Sequence, residues 1–190
     1  MSRLPLRTVE DAPAEAKERL AAAEKSSGFI PNLLRVLANA PVALETYQTV
    51  GAINARSSLS LQEREVVQIT AGATHGCGFC VAGHTAIAYK KAGLETDTVD
   101  ALRARTTLAD PRLNAVARFT EAVIATRGAV TDQQLADFKA AGYGDQQALE
   151  IVLGVSLATL CNFSNNLSHT PLNPQLQSYA WTRDQQVAAE

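Results

Sequence analysis

Three closely spaced residues can do chemistry: Cys77, Cys80 and His84, in the run Cys77-Gly-Phe-Cys80-Val-Ala-Gly-His84. Cys80 and His84 are four apart, so on a helix they share a face. Cys77, three before Cys80, falls at the start of that helix. A thiol at a helix N-terminus meets partial positive charge and exposed N–H groups, which lower its pKa. Two thiols at C-x-x-C spacing close a disulfide without rearranging the chain, one attacking and the other resolving. His84 can exchange a proton with a thiol or with bound water. Thiol redox chemistry is the favoured reading. The bland alternative is a buried helix with two small thiols and a core histidine. Zinc is a further alternative, with Cys77, Cys80 and His84 as three ligands and His75 or His169 as a fourth. Against it, structural zinc pairs sit on short turns, and the chain has no second C-x-x-C and no H-x-x-x-H.

Glu65 is the next candidate. In a helix over 61–74 it lies between Leu61 and Ile69, four residues to either side, on an apolar stripe. Glu63 and Arg64 read as cap and surface charges. A carboxylate on an apolar stripe is costly unless paired, and its pKa tends to rise into a range useful for proton transfer. The alternative is an ordinary glutamate at a helix rim.

These residues must be held by helices. Of the 190 residues about one in six is Ala, and Leu is frequent; both favour helix. The spacing predicts helices over 13–26, 31–39, 42–56, 61–74, 78–92, 96–105, 112–127, 132–141 and 146–167. Pro13, Pro31, Pro41 and Pro111 suit first-turn positions. Ser60-Leu-Gln-Glu63 and Thr131-Asp-Gln-Gln134 read as capping boxes, and Gly93 and Gly142 as helix stops. With no low-complexity linker, the expectation is one all-α domain over 1–190, its core about 25–175 and a C-terminal tail over 176–190. Glu65-Val-Val to Cys77 and Glu150-Ile-Val to Cys161 form a faint repeat that chance explains equally well.

Charge is unevenly spread. There are 17 basic and 19 acidic residues, yet the 24 residues from Val66 to Tyr89 carry none of them, nor do the 32 from Ile151 to Thr182. All three Cys and all three His fall inside these two windows. The near-zero net charge argues against nonspecific nucleic-acid binding. Asn162, Asn165, Asn166, Pro171 and Pro174 interrupt the second window, which argues against a membrane span. The N-terminus is polar and mixed in charge, unlike a signal peptide. Three Cys do not make a secreted disulfide scaffold, so the chain reads as cytoplasmic.

Glu65 followed by Cys77-x-x-Cys80-x-x-x-His84, with the Glu twelve residues before the first Cys, resembles the alkyl hydroperoxidase D-like branch of the carboxymuconolactone decarboxylase superfamily. Ser27-Gly-Phe-Ile-Pro-Asn32, Leu59-Ser-Leu-Gln-Glu-Arg-Glu65, Ala88-Tyr-Lys-Lys-Ala-Gly93 and His169-Thr-Pro-Leu-Asn173 extend the resemblance over roughly 25–175. It is most similar to the peroxidase-related subgroup. The resemblance implies an all-α fold of eight to nine helices assembled as trimers or hexamers. It implies that Cys80 attacks the peroxide and Cys77 resolves the sulfenic acid to a disulfide. An external dithiol or lipoyl-type protein would reduce that disulfide, with no bound cofactor or metal. Glu65 and His84 would deprotonate Cys80 through a water. Two positions depart from the pattern. The residue before the second Cys is Phe79 where the best-studied branch has a relay His, and His75 stands where Asn is frequent. His75 is either a substitute proton carrier or a polar residue at the turn.

In the second window Cys161 reads as a packing thiol. Asn162, Asn165 and Asn166 suit hydrogen bonds to a helix end or to the active site, and His169 suits a cap or a pocket wall. Tyr179 and Trp181 would anchor a subunit contact or pack the tail down. The expected function is a thiol-dependent alkyl hydroperoxide reductase with an antioxidant role. The alternatives are a carboxymuconolactone-type decarboxylase, which the C-x-x-C pair argues against, and a non-enzymatic redox sensor.

Overall fold

The computed structural model describes residues 2–182. Nine α-helices follow in order: α1 (Ala14–Ser27), α2 (Asn32–Leu37), α3 (Pro41–Asn54), α4 (Leu61–Thr74), α5 (Gly78–Ile87), α6 (Thr96–Ala104), α7 (Pro111–Thr126), α8 (Asp132–Ala140) and α9 (Asp145–Ser168). A π-helical turn, Ala88–Ala92, continues α5, and a 3₁₀ turn, Pro174–Tyr179, ends the described chain. No strand occurs among the described residues. The fold is all-α, as the composition and the family resemblance imply.

α4 is the axis. Every residue from Glu65 to Ala73 is buried, the pattern of a helix surrounded by others. It packs against α5, α6, α7 and α9. The approach of α9 is close because Gly154 has no side chain. A Cβ there would lie 3.0 Å from Val67 Cγ1. Gln68, buried in the same contact, donates from Nε2 to Gly154 O at 3.0 Å.

Two apolar clusters flank this axis. One gathers α4, α6, α7 and α8 around the stacked rings of Phe119, Phe138 and Tyr143, with centroids 4.4 and 4.6 Å apart. The other joins Leu20, Leu34, Leu44 and Leu157 to Cys77, Phe79, Cys80 and Cys161. The thiols therefore stand in a packed core. That core reaches beyond residues 25–175. Ala16 and Leu20 of α1 are fully buried, and Trp181 packs on Ala73 and Val81. Residues 183–190 of the expected tail lie outside the described residues.

Both capping boxes form. Pro41 and Pro111 occupy first-turn positions, whereas Pro13 and Pro31 sit one place earlier, in extended backbone at the caps. Gly93 and Gly142 adopt left-handed φ at helix ends as read. Arg105, Arg127 and His169 end α6, α7 and α9 in the same conformation. A residue with a Cβ carries a cost of about 1–2 kcal/mol there, so sequence gives little warning of such a stop. α9 is long and apolar enough by composition to cross a membrane. Its buried face, with Gly154, Asn162 and Asn165, instead packs onto α4 and α5. The faint repeat has no structural echo at its first residue, since Glu65 is buried while Glu150 binds the Ser58 N–H and hydroxyl.

Candidate active site

The turn between α4 and α5 creates the site. Gly76 adopts φ +66°, which reverses the chain at once. Cys77 then falls at the N-cap of α5, and its Sγ accepts the Cys80 N–H at 3.4 Å. The sulfur takes the place of a capping oxygen. Cys80 follows in the first turn. α4 passes closely behind it, since a Cβ on Gly72 would lie 3.6 Å from Cys80 Cβ and 3.1 Å from Val81 Cγ2. Cys77, Cys80 and Cys161 are all free and buried.

The same packing of α4 on α5 joins Glu65 to His84. His84 Nδ1 lies 2.7 Å from Glu65 Oε2, with the Glu65 side chain 6% exposed and that of His84 27% exposed. The two side chains meet directly because α4 and α5 pack closely. Burial pushes the His84 pKa down. The Glu65 carboxylate overrides it and the net shift is upward. With Nδ1 committed to Glu65, Nε2 is the ring nitrogen left for proton exchange.

α9 supplies two amides. Asn165 Nδ2 donates to Cys80 Sγ at 3.2 Å. Asn162 is 1% exposed, and its Oδ1 pairs with His75 Nδ1 at 2.9 Å. The Cys80 pKa is lowered first by the hydrogen bond from the Cys77 thiol, against the opposing effect of burial. The His84 charge, Asn165 and Asn162 add to the lowering. The Cys77 pKa moves up, because its proton is held against the Cys80 sulfur and because it is buried. The N-cap thiol is thus the weaker acid of the pair and the first-turn thiol the stronger. Burial raises the Cys161 pKa well above the usual thiol value.

His75 ends α4. It meets Asn162, and its ring stands edge-on to Phe163 with centroids 5.1 Å apart. Asn166 Nδ2 caps its carbonyl at 2.9 Å. His75 thus pairs with an amide of α9 and ends α4 at the turn. His169, exposed, ends α9. Among the described residues no group of three or more His, Cys, Asp or Glu side chains comes together as a metal site.

Cys80 and His84 open onto a cavity of about 360 Å³, walled by Leu34, Tyr47, Phe79 and Cys161, with Lys90 and Lys91 also lining it. A larger cavity, about 600 Å³, involves α7 and α8 and contains none of these groups. Tyr47 is the wall residue that sequence reasoning missed. Burial, with the nearby Cys161, Cys80 and Glu65, pushes its pKa up. Nothing in the α3 sequence marks it. The asparagines of α9 were legible as candidates, but not their sulfur partner.

Residues 41–122 match the model of the carboxymuconolactone decarboxylase family, a span that contains Glu65, Cys77, Cys80 and His84. No curated protein matches the chain. Among solved structures, it is similar to an uncharacterized peroxidase-related protein from Ralstonia eutropha JMP134, described as an alkylhydroperoxidase AhpD core. Identity is 22% and the TM-score 0.82, over 92% of this chain and 94% of that one. A peroxidase-related protein from Silicibacter sp. TM1040 follows at 17% and 0.79, over 92% and 93%. A Cys-to-Ala variant of the debrominase Bmp8, in complex with 2,3,4-tribromopyrrole, superposes at 15% and 0.74, over 93% and 94%. Residues 41–122 therefore match that family's model, and the chain has the fold of the alkylhydroperoxidase AhpD core.

Proposed function

We propose that this protein is a thiol-dependent hydroperoxide reductase. The observation that carries the reading is the setting of Cys80. Its sulfur faces a largely apolar cavity, accepts a hydrogen bond from Asn165, and stands one helical turn from the half-buried His84 that Glu65 holds. A thiolate is the nucleophile, and a nearby base and cation keep it ionised. The Cys80 thiolate attacks the terminal peroxide oxygen and breaks the O–O bond. Cys80 becomes a sulfenic acid, and the leaving alkoxide takes a proton from His84 Nε2 and departs as alcohol. The Cys77 thiol then condenses with the sulfenic acid, releasing water and forming the Cys77–Cys80 disulfide. An external dithiol, of the lipoyl type in our reading, restores both thiols.

Three free cysteines suit a reducing, cytoplasmic setting. The outer face of α9 presents Leu149, Val152, Phe163 and Leu167, all exposed. This stripe suits contact with further copies of the chain, and sedimentation of the wild type against Phe163→Asp tests it.

Turnover of hydrogen peroxide and an alkyl hydroperoxide with several dithiols, alongside thiol counting, tests the function. Cys80→Ser abolishes turnover, and Cys77→Ser leaves a sulfenic acid that dimedone traps. Full activity in Cys80→Ser overturns the assignment. The fold also serves a debrominase, so 2,3,4-tribromopyrrole belongs in the panel. Bromide release without peroxide turnover would replace this reading.

A further inference from the structure

The cavity at Cys80 has two unlike ends. Cys80 is buried at one of them, beside the His84 ring that the buried Glu65 carboxylate holds at 2.7 Å. The walls are apolar, with Phe29, Leu34, Ile87 and Leu176 among them. Lys90 and Lys91 also line the cavity, and both are exposed to solvent, which puts them at its mouth. They belong to the π-helical turn that continues α5. Lys91 stands seven residues beyond His84, a rise of about 10 Å along a helix. Lys90 Nζ lies 5.5 Å from the centre of the Tyr179 ring, a cation–π contact that keeps the ammonium beside the turn carrying Leu176. Among the described residues no Asp or Glu lines the cavity, and neither lysine is in an ion pair. The mouth is thus cationic, while Glu65, and Cys80 once ionised, put negative charge at the inner end.

We infer that this cavity takes the hydroperoxide of an aliphatic carboxylic acid, with the carboxylate at Lys90 and Lys91 and the hydroperoxide at Cys80. This substrate class rests on the peroxide reduction proposed above. The opposite orientation would drive the carboxylate against Glu65 and the Cys80 thiolate. In the inferred one each end meets a group that suits it, and the methylenes between them leave water for the apolar walls. An extended chain of about eight carbon–carbon bonds spans the distance from His84 to the lysines. The volume, about 360 Å³, is that of a small-molecule site. The chemistry at the inner end is unchanged. The Cys80 thiolate attacks the terminal oxygen and the O–O bond breaks. Cys80 loses two electrons and becomes a sulfenic acid. The alkoxide takes a proton from His84 and leaves as the corresponding hydroxy acid, its carboxylate untouched. A hydroperoxide with no anionic group gains nothing from the lysines.

The first measurement needs no peroxide. Octanoate and 1-octanol are compared at low salt as protectors of Cys80 against iodoacetamide. Octanoate is expected to protect at a concentration about 25-fold lower, about fivefold for each lysine, the effect of one opposite charge some 4 Å away in water. The gap is expected to shrink as salt screens it. Lys90→Ala and Lys91→Ala are each expected to narrow it about fivefold, and Lys90→Arg and Lys91→Arg to keep it. The second measurement is single-turnover oxidation of Cys80 by 8-hydroperoxyoctanoic acid, by its methyl ester and by 4-hydroperoxybutanoic acid. The longer acid is expected to react faster than its ester by the same factor. The four-carbon acid is too short to reach both ends and is expected to show no such advantage. Equal protection by octanoate and 1-octanol, a gap that survives in the doubly substituted Lys90→Ala, Lys91→Ala protein, or the ester as the faster oxidant each overturns the inference. Failure of every hydroperoxide to oxidise Cys80, with octanoate still protecting through the lysines, would instead overturn the proposed function and leave the acid-binding mouth standing.

Discussion

Glu65→Gln removes one charge and almost no volume. The amide still accepts from His84 Nδ1, but the carboxylate that holds the imidazole protonated is gone. Burial then pushes the His84 pKa down with only the Cys80 charge opposing it, so the ring gives up its charge at lower pH than in the wild type. Cys80 thereby loses a cation one helical turn away, at about 6 Å. With an effective dielectric near 20, that charge contributes about 2.8 kcal/mol, or about 2 pKa units. In the wild type the Cys80 pKa is lowered to about 7; in the variant it should stand near about 9. The thiolate fraction at pH 7 then falls from about a half to about 1%. Each remaining thiolate is more nucleophilic, by about eightfold for a Brønsted slope of 0.4–0.5. The net effect at pH 7 is a loss of about sixfold, and above about pH 8 the variant should overtake the wild type. The assay is alkylation of Cys80 by iodoacetamide from pH 5 to 11 in a Cys77→Ser background, paired with single-turnover oxidation. Crossing curves support the relay. A midpoint within half a unit of wild type, or a uniform loss at every pH, refutes it and leaves Glu65 a structural acid.

Stability should follow the same pair. The folded His84 pKa is raised, so the stability that it contributes is complete below its unfolded value of about 6.5 and disappears as pH rises through the folded value. The Tm difference between wild type and Glu65→Gln should therefore be largest near pH 6 and shrink on the alkaline side, as calorimetry would show. Asn165→Ala removes the N–H donor on Cys80 and should raise its alkylation midpoint by about 1 unit; an unchanged midpoint would remove Asn165 from the site. Gly154→Ala places a Cβ against Val67 and should cost about 1–3 kcal/mol in urea unfolding, with Cys80 reactivity at neutral pH unaltered in the folded protein.

The local parts of this site were legible because they are local. C-x-x-C followed by His at plus four is a statement about one helix turn, and helix geometry alone puts Cys80 and His84 on one face. The caps at Ser60 and Thr131 were legible for the same reason. The left-handed ends at Arg105, Arg127 and His169 were not, since packing holds residues there that the backbone alone would avoid. Asn162 and Asn165 could be suspected from amides in an uncharged helix. Their partner was invisible, because 85 residues separate Asn165 from the sulfur that it binds.

The all-α character, the two uncharged windows and the order of reactive residues along one turn are all local properties of the chain. Helix propensity, capping and the 3.6-residue period act over a few residues and can be read there. Helix packing sets which thiol is the stronger acid. That choice depends on Glu65 meeting His84 directly across α4 and α5, on α9 bringing amides to Cys80, and on burial opposing ionisation at Cys77. Each is an electrostatic effect that falls with distance and grows with burial, so it exists only once the helices are packed.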